Sequence, residues 1–280
     1  MNDFNLKDKV AVITGGAGVI CSVMAKALAD KGVRCAILDL NLEAAEKVAG
    51  EIVNESGVAA IGLSANVLDR ESLASAKKEV NRVLGKIDIL VNGAGGNSPA
   101  GTTKVEKMTG EEDEKPEDTF FGLQAEGFDK VFDINFKGTV IPTMVFATDL
   151  VSNKSGVIIN ISSMNSYRPL TKIAAYSAAK AAVNNFTQWL AVHFSKTGVR
   201  VNAIAPGFLL TNQNRFLMID EKTGGPTPRG VKVLNGTPME RYCVPEELTG
   251  TLLYLVSDLS RFVTGVVIPV DGGFSAYSGV

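Results

Sequence analysis

Short, apolar, β-branched runs alternate with longer stretches of helical period along most of the chain. The short runs predict seven strands, at residues 10–13, 34–38, 59–67, 87–91, 157–161, 201–204 and 266–270. The longer stretches predict helices at residues 19–31, 42–55, 69–84, 125–151, 174–195 and 246–257, with a kink at Pro142. Continuous apolar strands joined by crossover helices predict an α/β fold, a doubly wound parallel sheet with helices on both faces.

Two segments interrupt this rhythm without dividing residues 1–280 into separate domains. Residues 97–119 are polar, acidic and rich in turn residues, which predicts a surface insertion. It is either a solvated loop or a lid over an adjacent site, because long loops in compact domains often carry function. Residues 208–245 contain four prolines and predict an irregular segment on the substrate side, with a mobile flap from Arg215 to Pro238.

Composition narrows the class of protein. The chain has 280 residues, 45% hydrophobic, and a net charge of -2, which is typical of one globular domain without a basic surface for nucleic acid. No apolar run reaches the roughly 18 residues of a membrane span. The three cysteines lack metal or disulfide spacing and no signal peptide is recognisable, so we expect a cytoplasmic protein. The single histidine, His193, argues against a Ser-His-Asp hydrolase and a histidine-rich metal site, so we expect no metal.

A glycine-rich turn follows the first predicted strand and opens the first helix. Gly15 and Gly18 allow the backbone to approach a pyrophosphate, and the N–H groups of Val19 and Ile20 at the helix start attract its charge. Asp39 ends the second strand about 24 residues after Gly15, where a carboxylate accepts hydrogen bonds from ribose hydroxyls and repels a 2′-phosphate. This pattern favours NAD over NADP as the cofactor. The alternative is that Asp39 is a helix cap or a turn residue.

Two further loops follow strands at the same edge of the predicted sheet. Asn92 and Ala94 lie in the turn after the fourth strand, and Pro206 and Gly207 end the sixth strand, followed by Thr211. Ligands of doubly wound sheets bind along the carboxyl edge. We therefore expect these residues to border the cofactor.

Tyr176 and Lys180 lie one turn apart on a predicted helix, so the phenol and the ammonium share a face. A lysine charge about 4 Å away is expected to lower the pKa of the tyrosine from its ordinary value of about 10, which makes the phenol a competent acid and base. Ser163 follows the fifth strand and Asn135 lies on an earlier helix. These four residues are the candidate catalytic group.

In this order and spacing, the residues resemble the single-domain type of the short-chain dehydrogenase/reductase family. The resemblance covers nearly the whole chain, including the ending Asp271–Gly273, and implies a Rossmann-type fold. It also implies that Tyr176 is the proton donor or acceptor and that Ser163 hydrogen-bonds the substrate oxygen. Lys180 would hold the nicotinamide ribose and bias the pKa of Tyr176, and Asn135 would hold a water in the proton relay.

The resemblance extends the cofactor site and includes departures from the family pattern. Asn66 stands where the family often has an aspartate that contacts adenine, so Asn66 and the following Val67 are candidate cofactor contacts. The family usually has glycines where this chain has Val19 and Cys21, and an asparagine where Gly93 stands. We expect the side chain of Cys21 to widen the packing between helix and strand and to alter phosphate binding in detail.

Within the family, residues 161–172, 186–194 and 271–279 resemble a bacterial branch that interconverts D-fructuronate and D-mannonate, as does the acidic insertion. This implies that a keto sugar acid is the substrate, with Arg168 or Asn165 binding its carboxylate. Alternatively, Arg168 forms a surface ion pair or a subunit contact. Gluconate, ketogluconate and other polyol dehydrogenases share much of the pattern, and a nucleotide-binding sensor without catalysis is an alternative from another class.

The helix predicted at residues 174–195 has more apolar surface than one buried face requires, including Phe186 and Trp189. The family commonly forms tetramers through such surface. The resemblance therefore implies a homotetramer, with His193 in a packing or interface position.

Overall fold

The computed structural model describes residues 4–111, 114–211 and 215–279. In these ranges the strands are β1 (Val10–Thr14), β2 (Arg34–Asp39), β3 (Ala60–Ser64), β4 (Ile89–Asn92), β5 (Gly156–Ile161), β6 (Val199–Pro206) and β7 (Val267–Val270). The α-helices are α1 (Val19–Ala29), α2 (Leu42–Ser56), α3 (Arg70–Val83), α4 (Ala125–Phe132), α5 (Gly138–Ser152), α6 (Ala174–His193), α7 (Arg215–Met218), α8 (Pro228–Gly236) and α9 (Thr249–Val256).

The strands form one sheet in the order β3-β2-β1-β4-β5-β6-β7, and every neighbouring pair is parallel. The chain builds outwards from β1 to β3 and then crosses back to place β4 on the other side of β1. Connections therefore leave the carboxyl ends of β1 and β4 in opposite directions, which opens a crevice between them. The predicted fold is confirmed: a Rossmann-type, doubly wound parallel sheet in a single domain.

Each face of the sheet has its own apolar core, because successive strand residues point to opposite faces. In β1, Ala11 and Ile13 belong to the core shared with α1, α2 and α9. Val10 and Val12 belong to the core shared with α3, α5 and α6. All four side chains are buried. Burial on both faces explains why the strands are continuously apolar.

The third strand is shorter than the predicted range 59–67, since β3 ends at Ser64. Asn66 turns the chain there: its Oδ1 accepts a 3.0 Å hydrogen bond from the N–H of Leu68. Such a side-chain bond replaces the strand ladder with a turn.

The predicted helix at 125–151 is in fact two helices, α4 and α5, joined by a π-helical segment, Asp133–Lys137. Regular α-helix is interrupted in that segment and not at Pro142, which lies inside α5. Pro142 is one turn into α5, so the hydrogen bond that it cannot make is the one to Gly138 at the start of the helix. The helix is continuous through Pro142, where the sequence predicts a kink.

The predicted irregular segment at 208–245 contains α7 and α8, so that prediction was wrong in part. The prolines had suggested irregular structure. Pro228, however, occupies the first turn of α8, where a helix does not need the missing N–H. The 97–119 insertion includes two short 3-10 turns, Pro99–Gly101 and Pro116–Asp118. None of the helices described is both long and apolar enough to cross a membrane.

Candidate active site and coenzyme cleft

A cavity of about 650 Å³ opens at the carboxyl edge of the sheet, where the loops after β4, β5 and β6 meet α6. Residues of the 97–119 insertion and of the segment after β6 also line it. The predicted site residues in its wall are Ile20, Ser163, Asn165, Tyr176, Lys180, Pro206, Gly207 and Thr211.

Lys180 is fixed between the sheet and the phenol ring. Its side chain is buried, and its Nζ donates a 2.8 Å hydrogen bond to the carbonyl oxygen of Ile161, the last residue of β5. The same Nζ lies 5.7 Å from the centroid of the Tyr176 ring. The spacing of one helical turn therefore does bring the two groups to one face of α6, as predicted.

The direction of the Tyr176 pKa differs from the expectation. Burial raises the pKa of the Tyr176 phenol above its ordinary value, and a hydrogen bond with Ser163 opposes this by a smaller amount. Burial also lowers the pKa of Lys180 to about 8, with Cys21 acting in the opposite direction. The ammonium hydrogen-bonds the Ile161 carbonyl, and desolvation is the largest influence on the pKa of the phenol. A phenol with a raised pKa is protonated at neutral pH.

Ser163 and Asn165 form the wall beside this phenol. The Oγ of Ser163 accepts a 3.3 Å hydrogen bond from the N–H of Asn165, which starts a short 3-10 helix, Met164–Ser166. Asn165 is buried, yet no described residue hydrogen-bonds its side chain, and its Oδ1 is an unpaired acceptor. Buried acceptors without a donor are rare, so Asn165 is suited to a ligand hydroxyl.

Asn135 lies behind the cavity wall, in the π-helical segment. Its Nδ2 donates to the carbonyl oxygens of Gly96 at 2.7 Å and Val131 at 2.8 Å, and its Oδ1 accepts from the N–H of Gly96 at 3.3 Å. A Cβ at Gly95 would lie 2.7 Å from the Asn135 Oδ1 and 3.3 Å from the Lys180 Nζ. Glycine at position 95 thus allows the loop after β4 to pass close to both groups.

The glycine turn fits a dinucleotide pyrophosphate. Gly15 has a φ of +61°, and a Cβ there would lie 2.9 Å from the backbone of Ala94, so glycine allows the β1 and β4 loops to touch. Gly18 precedes α1 without a side-chain cap. No capping side chain therefore competes with an anion for the first-turn N–H groups of Val19 and Ile20.

Asp39 lies half-buried at the end of β2, against this turn. Its Oδ2 accepts a 3.3 Å hydrogen bond from the N–H of Ala17, and its Oδ1 accepts one of 3.2 Å from the N–H of Asn41. The second bond corresponds to the alternative interpretation from the sequence, in which Asp39 is a turn residue. The first one places the carboxylate next to the glycine turn, where an adenosine ribose would lie in a fold of this type.

Two departures from the family pattern turn out to be in contact. A Cβ at Gly93 would lie 2.1 Å from the Sγ of Cys21, which is buried under the loop after β4. The sulfur of Cys21 therefore occupies the space that a side chain at position 93 would need. Gly93 thus leaves free the volume that the sulfur of Cys21 fills.

Some predicted cofactor residues have other contacts. The Nδ2 of Asn92 donates 2.9 Å hydrogen bonds to Thr143 and Asn160, so this side chain links β4 to α5 and β5 inside the protein. Val67 is buried and packs near the first residue of α5, Gly138. Neither side chain lines the cavity.

Asn66 and Arg168 also lie outside the cavity. Asn66 is exposed near Asp39, since the carbonyl of Asp39 accepts a 2.8 Å hydrogen bond from the neighbouring Ala65 N–H. The Nε of Arg168 donates a 3.2 Å hydrogen bond to the carbonyl oxygen of Ser275 near the end of the chain. The structure therefore places Arg168 away from the position expected for a substrate-binding cation.

Sequence reasoning missed a second cation that lines the cavity, Arg229, together with Leu217 and Met218. All three lie in the segment that was predicted to be an irregular flap. No motif marks Arg229, and only the packing of α8 against α7 brings it to the site.

A parallel sheet, an uncapped glycine turn and a Tyr-Lys pair at one crevice define a Rossmann-type oxidoreductase that uses a nicotinamide dinucleotide. The chain belongs to the short chain dehydrogenase family, which matches it over residues 9–222.

Individual relatives support the same class. The chain is 53% identical over 277 residues to an uncharacterized oxidoreductase of Haemophilus influenzae, covering 99% of this chain and 96% of that protein. It is 50% identical over 277 residues to the uncharacterized oxidoreductase UxuB of Bacillus subtilis, covering 99% and 98%. A crystal structure from Haemophilus influenza with bound NAD, provisionally described as a D-mannonate oxidoreductase, is 52% identical with a TM-score of 0.93, covering 99% of each chain.

The contact between Cys21 and Gly93 predicts that the two positions are energetically coupled. We expect Gly93→Ala to destabilise the protein by about 1–3 kcal/mol, because the new methyl group overlaps the sulfur. In a Cys21→Ala background the cost is expected to fall by about 1 kcal/mol or more, since the Cβ of residue 21 would be 3.6 Å away. Urea unfolding of the two single variants and the double variant measures this coupling.

Cys35→Ala provides a matched control for that cycle. Cys35 is also buried, but its sulfur contacts the carbonyl oxygens of Ala25 and Val33. The effect of Cys35→Ala on the free energy of unfolding should therefore add to that of Gly93→Ala. If the effects of Cys21→Ala and Gly93→Ala on the free energy of unfolding also added to within about 0.5 kcal/mol, the proposed coupling between the two positions would be contradicted.

Proposed function

We propose that the protein is an NAD-dependent oxidoreductase that reversibly reduces the ketone of a small sugar acid, with D-fructuronate and D-mannonate as the substrate pair. The chemistry is supported above all by the hydroxyls of Ser163 and Tyr176, which meet on the wall of one cavity beside the glycine turn. The substrate is supported by the likeness to the structure described provisionally as a D-mannonate oxidoreductase with NAD.

The residues of the glycine turn would hold the coenzyme. First-turn N–H groups of α1 face its pyrophosphate, and Asp39 accepts hydrogen bonds from its ribose. Lys180 holds the second ribose and fixes the ring of Tyr176. When bound, the nicotinamide supplies hydride to a ketone or takes it up from an alcohol.

The chain's own hydroxyls complete the reduction. Ser163 donates a hydrogen bond to the ketone oxygen and orients it. Tyr176 then donates its proton to that oxygen as negative charge develops there. Its raised pKa suits this step, because the phenol is protonated before the reaction. Asn135, held against Gly96, orders a water that returns a proton to the tyrosine.

Turnover of a panel of ketones tests this proposal. We expect NADH to be oxidised with D-fructuronate, more slowly with 5-ketogluconate, and poorly with the neutral ketose D-fructose. Tyr176→Phe should lower kcat by about 100- to 10,000-fold, because it removes the proton donor, while coenzyme binding persists. Stopped-flow or steady-state NADH absorbance measures both the turnover of each ketone and the kcat of Tyr176→Phe.

The outcomes separate the alternatives. A preference for 5-ketogluconate would favour a ketogluconate dehydrogenase. NADH binding without turnover of any ketone, unchanged in Tyr176→Phe, would indicate a nucleotide sensor. A preference for neutral ketones would refute the sugar-acid proposal.

We also propose that NAD is preferred over NADP, because the half-buried carboxylate of Asp39 lies beside the glycine turn. Asp39→Ser should raise kcat/KM for NADPH about 10-fold or more, since it removes a negative charge next to the expected 2′-phosphate position. Asp30→Ser, which removes an exposed charge at the end of α1, is the control and should leave the coenzyme ratio unchanged. Equal use of NADPH and NADH by the unmodified protein would contradict this assignment.

A second copy of the chain is the proposed partner for the outer face of α5 and α6. A cavity of about 520 Å³ on this face is lined by eight apolar residues, three hydroxyl residues and His193, with no Asp, Glu, Lys or Arg of the described chain. Trp189 is 57% exposed there and stacks on His193 with ring centroids 4.8 Å apart. Large exposed apolar patches mark interfaces, and two antiparallel or crossed helices suit a two-fold axis.

A tetramer requires a second interface, and exposed apolar side chains also lie beyond α9. Phe262 is fully exposed, and Leu259 is largely exposed next to it. Two separate self-complementary surfaces are what a tetramer with two-fold axes needs. We therefore propose a homotetramer.

Trp189→Glu should split the assembly, because it places a charge in the centre of the α5–α6 face. Light scattering after size exclusion is expected to show dimers or monomers in place of tetramers. Val53→Glu is the matched control, since Val53 is 42% exposed on α2, which packs on the other face of the sheet. An unchanged mass for Trp189→Glu would refute this interface.

A further inference from the structure

We propose that Arg229 anchors the carboxylate of the substrate and thereby selects sugar acids over neutral ketoses. This inference rests on the proposed function and deepens it, because it identifies the residue that would recognise the acid. It assigns substrate specificity to α8, a helix with no recognisable sequence motif.

Arg229 is held at the cavity by the start of α8. The Oγ1 of Thr227 caps this helix by accepting a 3.0 Å hydrogen bond from the N–H of Gly230, and it donates a 2.6 Å hydrogen bond to the carbonyl oxygen of Leu217. The N–H of Thr227 also donates to the carbonyl oxygen of Met218 at 2.9 Å. These bonds fix the first turn of α8 against α7, and Arg229 lies in that turn.

The charge of the cavity wall favours an anion. Among the described residues that line it, the charged side chains are Lys180 and Arg229, with no aspartate or glutamate. Lys180 uses its ammonium on the Ile161 carbonyl beside the phenol. Arg229 lines the same cavity from the flap side, so its charge is available for a different part of the ligand.

No described carboxylate neutralises Arg229 through an ion pair. The carboxylate in its vicinity is Glu106 of the 97–119 insertion, and Glu106 pairs with Lys232, one turn further along α8, at 2.7 Å. The Glu106–Lys232 pair therefore ties the insertion to α8 and leaves the guanidinium of Arg229 without a hydrogen bond to a described residue. A guanidinium in a cavity is well suited to bind a carboxylate through two parallel hydrogen bonds.

Asn165 supplies a second, independent sign of a polyhydroxylated ligand. Its Oδ1 is buried without a hydrogen-bond partner, and Asn165 is one of the residues that line the same cavity, next to Ser163. A sugar acid carries both the hydroxyl donor that this oxygen lacks and the carboxylate that Arg229 lacks. The cavity thus matches a sugar acid in both hydrogen bonding and charge.

The test compares an acid with the neutral ketose that differs only at the carboxylate. For D-fructuronate and D-fructose, kcat/KM is measured in the unmodified enzyme, in Arg229→Gln and in Arg229→Lys. We expect Arg229→Gln to lower kcat/KM for D-fructuronate by about 10- to 100-fold, mainly through KM, because a charge-assisted contact is lost. D-fructose should change less than about threefold, and Arg229→Lys should retain part of the preference.

Two arginine variants complete the comparison. Arg82→Gln removes the same charge from an exposed pair with Glu79 on α3 and should have no effect. Arg168→Gln examines the cation expected from the sequence, and a selective loss of acid turnover in that variant, with none in Arg229→Gln, would overturn the proposal. A raised KM for NADH as the main effect of Arg229→Gln would also overturn it, since the arginine would then bind the coenzyme.

A binding measurement guards against misfolding and separates this inference from the proposed function. Calorimetric titration of the enzyme–NADH complex with D-mannonate should show weaker binding for Arg229→Gln, with NADH binding retained. If the unmodified enzyme prefers acids and Arg229→Gln keeps that preference, the inference fails and the proposed function stands. If the unmodified enzyme does not prefer acids, the proposed function fails and the role of Arg229 fails with it.

Discussion

The buried ammonium of Lys180 is the constraint on which the rest of the site depends. Moving a charge out of water is costly, and the lowered pKa of this lysine, about 8, is the consequence of its burial. The hydrogen bond to the Ile161 carbonyl compensates only in part, and it requires α6 to dock at the carboxyl end of β5. That docking places the ring of Tyr176 over the ammonium and its hydroxyl beside Ser163.

Close packing around this lysine limits what its neighbours can be. Gly95 passes between Asn135 and Lys180 with no room for a Cβ, and the π-helical segment holds Asn135 against the backbone of Gly96. π-helical segments are frequent at functional sites, where they reposition a side chain within a helix. On the other side, the sulfur of Cys21 fills the volume left by Gly93. The geometry of the site therefore depends on close approach of the backbone at these glycines as much as on its functional groups.

Much of this arrangement could be predicted from local patterns. Strand and helix periods predicted the sheet, and glycine and proline positions predicted the loops at its carboxyl edge, because turn chemistry depends on a few adjacent residues. The prediction was wrong where the same residue type, proline, is compatible with two different local structures. Pro228 suggested an irregular flap but occupies the first turn of a helix, and Pro142 suggested a kink, whereas the regular α-helix is interrupted at the π-helical segment.

The sequence by itself determined the fold class, the family and the chemical types at the crevice. Tyr176 and Lys180 share a helix face through the period of the helix alone, and the alternation of strands and helices predicts a parallel sheet. Only the tertiary structure decided the direction of the Tyr176 pKa, the turn of Asn92 into the core and the presence of Arg229 in the cavity in place of Arg168. Each of these depends on burial and contacts between residues far apart in the chain, which no local pattern encodes.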